Sequence, residues 1–415
     1  MADIKRWGND MNINRLRKKL SGLYPDIKAE EVDGCIRLTG ILDNWEDVVN
    51  AGYMAVDKKH YIGVLNDIKL RDALEKPMRL PSFSDDSLDG AKPDFLVIGG
   101  GVSGASILRE LMRYDVDALL VEKESDLAMQ ASGRNDGEVH PGVDLGKGTK
   151  KQYYVVRANK IFKDVCDELG VRFELRGQYA CFNKPIKPLL RILARSRNKI
   201  GCPTEVADKE EILKCEPEFN PEVKCAISNP QTGVVSPYEL TIAFAENAVS
   251  NGARVSLDTA VLSMDVKEGR IISVKTNRGT IYPKVVINAA GTFSDKIAAM
   301  ANDRYFTIHP RAGSDYIFDK KIGRDITHIT SIESVSRSKR TAHSKGGGVI
   351  RTIENNILIG PNAYETPDRE NFATESDSLG QVFTKQEYII PNLKKKDIIA
   401  YFTGTRAATY EEDFY

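Results

Sequence analysis

Apolar and polar positions alternate along this chain with three different rhythms, and each rhythm predicts a different kind of element. Phe95-Leu96-Val97-Ile98 and Ala118 to Val121 are short unbroken apolar runs, the pattern of strands buried on both faces of a parallel sheet. Between them Ile107, Leu108 and Leu111 fall on one side of a helix. Ahead of this unit, Asn12 to Leu23 spaces Ile13, Leu16, Leu20 and Leu23 for a single helical face. Asp33-Gly34 signals a hairpin turn into the alternating strand Cys35 to Thr39. Asn44 can cap a helix through Val56, and Val64 to Leu70 alternates as a last strand. Residues 71–93, with Pro77, Pro81 and the polar run SFSDDSLDGAK, read as a linker.

Beyond the apolar pair, Thr149 to Leu169 predicts a helix and Val171 to Asn183 strands. A polar, proline-punctuated region follows to Pro230. Ser236-Pro237 opens a helix to Gly252 as cap and first turn. Arg254 to Leu257 and Ala260 to Val266 are predicted strands, and Glu268-Gly269 is a hairpin signal within Asp265 to Val274. Val285 to Gly291 is a buried strand ending in small residues, as a strand end beside a bound cofactor requires. Residues 305–400 return to alternating strands, with Gly346-Gly347-Gly348 as a turn.

Chemistry enters at the join between the first apolar run and its helix. The segment Gly99-Gly100-Gly101-Val102-Ser103-Gly104 has G-x-G-x-x-G spacing, and Glu122 ends the next strand about 20 residues further on. Gly99 permits the tight turn, Gly101 lets the backbone approach a pyrophosphate, and Gly104 lets helix and strand pack closely. The helix N-terminus offers N–H groups and partial positive charge to phosphates. Glu122 can accept from ribose hydroxyls and disfavours a 2′-phosphate. Strand, glycine turn, helix and acid together predict a dinucleotide site. Lys123, next to Glu122, is placed at the edge of that site with its side chain toward solvent.

Bulk properties narrow the partners. Lys+Arg and Asp+Glu are 59 each, so the net charge is zero and nothing pulls the chain toward nucleic acid. Six scattered cysteines without a C-x-x-C pair read as reduced thiols, with no metal or iron–sulfur site. No apolar run approaches the ~18 residues of a membrane span. The expected location is the cytoplasm.

Three stretches carry a family resemblance: VIGGGVSGASILREL with LLVEKESDLAMQASGRNDGEVHPG, then KVVINAAGTFSDKIA, and finally ILIGPNAYETPDRENFAT with YFTGTRAATYEEDF. Together they resemble the FAD-dependent D-amino-acid-oxidase-like superfamily over residues 94 to 415. Within it, the nearest likeness is to glycerol-3-phosphate dehydrogenases and L-2-hydroxyglutarate oxidases. The resemblance implies an α/β fold: a Rossmann-like FAD-binding domain of the glutathione-reductase type, with an inserted α+β substrate domain and a small N-terminal α/β module. It places Ser132, Arg134 and Asn135 beside the flavin, Asn288 to Gly291 (with Ala290) against the FAD, and Val261 where backbone meets adenine. His140 falls near the isoalloxazine ring, and Arg406 faces flavin or substrate. The chain departs from the family in Pro141-Gly142 after the histidine and in Ala407 where a proline is usual. It also lacks a lysine between Arg311 and Gly313. Residues 1–70 resemble a BON domain in order and apolar pattern, a family associated with phospholipid surfaces or partner contacts.

The resulting expectations are specific. The divisions are a 1–70 module, a 71–93 linker, flavin-domain segments at 94–150 and 236–304, and substrate-domain segments at 151–235 and 305–397. Residues 398–415 begin a closing flavin-domain segment, whose continuation in the family makes this chain look C-terminally incomplete. The reaction is oxidation of a small anionic alcohol by hydride transfer to FAD, with glycerol 3-phosphate ahead of a 2-hydroxy acid. A non-catalytic flavoprotein scaffold is the alternative of another class. A NAD-dependent dehydrogenase accounts for neither the SGRN segment nor the late NAAG strand. His140 is the leading base, because its intrinsic pKa lies near neutrality, and His309 is the second. Arg311, Arg351 and Arg406 are the candidates to grip the anion through paired N–H donors. The electron acceptor, whether quinone, oxygen or a partner protein, is left open, and the module suggests peripheral contact with a membrane or partner.

Overall fold

The computed structural model describes residues 13–72, 76–333 and 347–413. The apolar runs of the nucleotide unit form the centre of a four-stranded sheet. Its order is Arg254–Ser256, Ala118–Val121, Phe95–Ile98, Val285–Asn288, and every neighbouring pair is parallel. Helices Val102–Leu111 and Pro237–Ser250 cover one face, burying Ala105, Leu108, Ala245 and Ala248 against Val97 and Leu120. The second of these helices starts as its sequence predicts. Ser236 Oγ accepts from the Glu239 N–H at 3.3 Å, and Pro237 occupies the first turn. The other face carries the antiparallel sheet Val261–Lys267, Arg270–Thr276 and Gly279–Ile281, with Val261, Val274 and Ile281 buried against Leu96, Ile98 and Val121. Helices, parallel sheet and a small antiparallel sheet make the three layers of a Rossmann-like nucleotide domain.

Strands between Gln178 and Thr409 build a nine-stranded, largely antiparallel sheet. Ile308–Phe318 and Ile398–Thr409 form its longest ladder, running from Ile308 opposite Thr409 to Phe318 opposite Ile398. Its one parallel pair joins Ile329–Ile332 to Gln178–Phe182. Helix Ser376–Ile389 covers one face through Val382, Phe383 and Ile389. Four helices escape the sequence reading, the short Ser294–Met300 among them. Helix Lys187–Asn198 begins with Pro188 in its first turn, so that proline is a start signal rather than a breaker. Lys209–Cys215 is short and capped by Asp208. In Ser376–Ile389, β-branched residues and Gly380 mask the apolar i, i+3, i+4 spacing. Gly346 of the predicted glycine turn lies outside the described residues.

Residues 13–72 fold as helix Ile13–Leu23, hairpin strands Lys28–Val32 and Cys35–Leu42, helix Trp45–Met54, and strand Val64–Leu70 parallel to Cys35–Leu42. Asp33 and Gly34 both take positive φ at the predicted hairpin, and Asn44 Oδ1 caps the second helix by accepting from the Asp47 N–H at 2.9 Å. This module is not a loosely tethered unit. Tyr410, just past the longest ladder, sits in its core with Leu20, Leu38 and Val48. Asn66 Nδ2 donates to Tyr410 Oη at 2.8 Å, the Val64 N–H donates to Glu411 Oε1 at 2.9 Å, and Arg304 pairs with Asp67 at 2.7 Å.

The stretch expected to be a linker is also docked. Gly90 N–H donates to Thr280 O at 2.9 Å, and Asp85 pairs with Arg278 at 2.8 Å. Low apolar content hid this, because the stretch is held by backbone and charged groups. No helix among the described residues is long and apolar enough to cross a membrane. No group of His, Cys, Asp and Glu among them could hold a metal ion.

The seam between module and sheet can be broken at one residue. A Cβ on Gly52 would lie 2.2 Å from the Tyr410 ring, too close to exist without movement. Gly52→Val should therefore cost about 1–3 kcal/mol by overpacking. The expected result is a lower melting temperature with earlier proteolytic release of residues 1–72, and a cleavage pattern like wild type would refute the seam.

Candidate active site

The glycine turn is built by contact as much as by conformation. Gly99 has φ +112°, and a Cβ there would lie 2.4 Å from Ala289 O, the end of the neighbouring parallel strand. A Cβ on Gly104 would lie 1.9 Å from Gly99 O, so only glycine lets the helix begin this close to the turn. Gly101 is the N-cap of helix Val102–Leu111 and supplies no side-chain acceptor. Gly100 precedes it in the turn, and Val102 and Ser103 open the helix. Gly291, with φ +53°, borders open space where its side chain would be, and Ala290 precedes it.

Glu122 closes the turn from the next strand. Its Oε2 accepts from the Gly100 N–H at 2.5 Å and its Oε1 from the Glu124 N–H at 2.9 Å. Burial raises its pKa above the ordinary glutamate value, and the two N–H donors pull against that rise. Lys123 differs from its expectation. Its side chain is largely buried, and Nζ lies 2.5 Å from both Glu124 Oε1 and Glu370 Oε1. Arg79 joins the cluster at 2.7 Å from Glu124, and Lys76 holds Asp368 at 2.8 Å. Charges from the docked 76–93 stretch and the 366–374 loop thus meet beside Glu122. Val261 packs under this edge, its side chain among Leu96, Ile98 and Val121.

Ser132, Arg134 and Asn135 lie on a turn braced against the helix start. Ser132 Oγ accepts from the Val102 N–H at 2.9 Å. Asn135 Nδ2 donates to Ser132 O at 2.7 Å, and its Oδ1 accepts from the Gly137 N–H at 2.9 Å. The Arg134 guanidinium stacks 4.2 Å from the Phe372 ring centroid. The long ladder reaches this turn at Gly404, where a Cβ would lie 2.1 Å from Arg134 O. Directly opposed residues of the ladder share a face, so Gly404, Arg406, Gly313 and Asp315 all look toward the SGRN turn. His140 follows a few residues later, half exposed, with Nδ1 3.1 Å from the buried Glu138 Oε1.

The candidate arginines separate sharply. Arg406 is exposed on the ladder face and has no hydrogen-bond or ion-pair partner among the described residues. Arg311, directly opposite it, is buried, with Nε 2.8 Å from Glu365 Oε1 and Nη2 donating to Tyr53 Oη at 2.8 Å. Arg351 turns to the other face of the sheet, donating to Arg324 O at 3.0 Å and Asn355 Oδ1 at 3.1 Å. The structure thus sets Arg406 on the ladder face that meets the SGRN turn, ties Arg311 up in an internal network, and keeps Arg351 away. His309 is fully buried, stacked on Tyr410 at 4.5 Å, with Nδ1 2.9 Å from Glu365 and Nε2 3.3 Å from Tyr53 Oη. Both its ring nitrogens are engaged, which removes it as a base. Sequence reasoning missed Tyr53, Glu365 and Asp315, because each owes its place to a long-range contact.

These features agree with the comparisons. The family model for FAD dependent oxidoreductases matches residues 94–415, and the chain belongs to that family. Among its relatives, the glycerol 3-phosphate dehydrogenase of Caloramator mitchellensis is 33% identical over 77% of this chain and 66% of its own length. The L-2-hydroxyglutarate dehydrogenase of Escherichia coli K12 is 26% identical over 67% of this chain and 66% of its own. The chain thus spans just under two thirds of the length of these curated relatives. In fold it resembles the FAD-bound L-alpha-glycerophosphate oxidase of Mycoplasma pneumoniae, with TM-score 0.71 at 24% identity over 78% of this chain and 85% of that one. Residues 1–93 lie outside the family match.

The residues present fit FAD. The glycine turn Gly99-Gly100-Gly101, the N-terminus of the following helix and the acid at Glu122 offer the cradle a dinucleotide needs. Replacing Glu122 by Ala removes charge-assisted hydrogen bonds from that cradle and should weaken FAD binding by about 1–3 kcal/mol. Fluorescence titration of the apoprotein measures this, and an unchanged Kd would contradict the assignment.

Glu365 provides a second test. Burial alone would raise its pKa, but the hydrogen bond and charge from His309, together with Arg311, outweigh it and hold the carboxyl below the ordinary glutamate range. A lowered carboxyl pKa adds stability that is present above the unfolded value, about 4.3. That stability is lost as pH falls through the folded value. Wild type should lose melting temperature more steeply than Glu365→Gln below about pH 4, and parallel curves would show that the network carries no such linkage.

Proposed function

We propose that this protein is an FAD-dependent dehydrogenase that oxidises a small anionic alcohol, with glycerol 3-phosphate as the leading substrate. The observation that carries the reading is Arg406. It is a guanidinium without a hydrogen-bond or ion-pair partner among the described residues, held on a long ladder whose nearby Gly404 packs against the SGRN turn. An unmatched planar fork at a cleft suits a phosphate or carboxylate. L-2-hydroxyglutarate is the second candidate, suggested by the relative of that activity.

In this reading Gly99 to Gly104 and the helix start bind the pyrophosphate, Glu122 takes the ribose hydroxyls, and Lys123 borders them. Ser132, Arg134, Asn135, Ala290 and Gly291 line the flavin side. FAD, when bound, supplies the acceptor for the hydride that leaves the alcohol carbon. Arg406 holds the anion so that this carbon is presented in one orientation. His140 takes the hydroxyl proton on Nε2, with Glu138 Oε1 3.1 Å from its Nδ1 on the far side of the ring. The domain divisions at 150, 235, 304 and 397 follow the same reading, with the ladder joining Ile308–Phe318 of the substrate domain to Ile398–Thr409 of the closing segment. The 13–72 module, whose αββαβ order resembles a BON domain, serves as a contact surface for a membrane or partner near the electron acceptor.

Anaerobic bleaching of the flavin spectrum by glycerol 3-phosphate or L-2-hydroxyglutarate tests this directly. Absence of bleaching by either would remove the substrate class. Arg406→Lys should weaken substrate binding by about 1–2 kcal/mol, roughly tenfold, because an ammonium cannot match the planar fork. Flavin reduction in that variant with the wild-type concentration dependence would reassign Arg406.

A further inference from the structure

One carboxyl on the Arg406 face of the ladder has no hydrogen-bond partner among the described residues. Asp315 is 2% exposed, and its Oδ1 is buried without a hydrogen bond. It belongs to the same face as Arg406, Gly404 and Gly313, and it stands opposite Phe402. Space for its carboxyl is left by Gly360, where a Cβ would lie 2.6 Å from Oδ1. An uncompensated buried carboxyl is among the least favourable groups a fold can carry. Nothing in the sheet requires it, since the neighbouring Ile317 and Phe402 on this face are apolar. A group left unsatisfied in the protein and directed to a ligand-binding face is the ordinary sign of a ligand contact.

Resting on the glycerol 3-phosphate reading above, we propose that Asp315 is a specificity-determining residue that hydrogen-bonds the non-reacting hydroxyl of the polyol while Arg406 holds the phosphate. Two features make the pairing chemically consistent. Arg406 Nη2 reaches to 3.5 Å from where a Cβ on Gly313 would stand, and Gly313 is two residues from Asp315 on the same face of the strand. Burial, reinforced by Asp136, pushes the Asp315 carboxyl well above the ordinary range, with Arg406 opposing the rise. A carboxyl kept neutral can donate its O–H to a hydroxyl and also accept from one, without repelling an anionic substrate. The polar contact separates polyol phosphates from analogues that lack the hydroxyl, a discrimination that an apolar pocket makes poorly.

The test uses the full-length, FAD-loaded protein with glycerol 3-phosphate and with propane-1,2-diol 1-phosphate, which keeps the reacting hydroxyl and lacks the other. Wild type should prefer the first by at least about tenfold in kcat/KM. In Asp315→Ala the preference should collapse toward unity with flavin content unchanged, and the melting temperature should not fall, because an unsatisfied buried group has gone. Asp315→Asn keeps a donor and an acceptor, so most of the preference should return. A separate readout is the infrared C=O band of a protonated carboxylic acid. It should be present in wild type, absent from Asp315→Asn, and shifted when glycerol 3-phosphate binds under anaerobic conditions. Bleaching of wild type with an unchanged preference in Asp315→Ala would overturn the role of Asp315 alone. If neither compound bleaches the wild-type flavin, the substrate reading itself fails, and the inference falls with it.

Discussion

The register of one antiparallel ladder governs this structure. Strands Ile308–Phe318 and Ile398–Thr409 pair over almost their whole length, and a one-residue slip would send every side chain to the opposite face. At one end the pairing places His309 against Tyr410 and so fastens the N-terminal module. In the middle it sets Gly404 against the Arg134 carbonyl and so fastens the nucleotide domain. Arg406 and Asp315 lie on the same face between and beyond these anchors. Two independent glycine-tight or ring-stacked contacts therefore fix the register, and the cleft inherits its geometry from them.

Much of the nucleotide half was legible because its signals are local. A buried strand, a glycine turn and a helix start are neighbours in sequence, and each is dictated by backbone sterics and hydrogen bonding within a few residues. The hairpin at Asp33-Gly34 and the caps at Asn44 and Ser236 belong to the same class. The module's docking was not legible, since it depends on Tyr53 meeting residues more than 250 positions away. Lys123 was misplaced for a similar reason: its neighbours in sequence are strand-end residues, but its partner Glu370 comes from a distant loop. The 71–93 stretch has the composition of a linker, yet composition reports apolar burial and not the ion pairs that hold it. Gly380 and the β-branched residues around it likewise hid a helix whose stability comes from Phe383 and Val382 packing on the sheet.

The two opposed arginines show how the fold divides labour between residues that look alike in sequence. Like charges directly across a ladder repel, and Arg311 and Arg406 occupy such a pair of positions. Glu365, from the neighbouring strand Tyr364–Glu365, neutralises Arg311, and Tyr53 takes another of its donors. The remaining positive charge at this point of the ladder is Arg406. Tyr53, a residue outside the family match, thus helps decide which arginine of the opposed pair is left without a side-chain partner among the described residues. Removing Glu365 would restore the repulsion and leave two cations competing for one anion. The single charge at the cleft is therefore a property of the network, and Arg406 would not have it in the ladder alone.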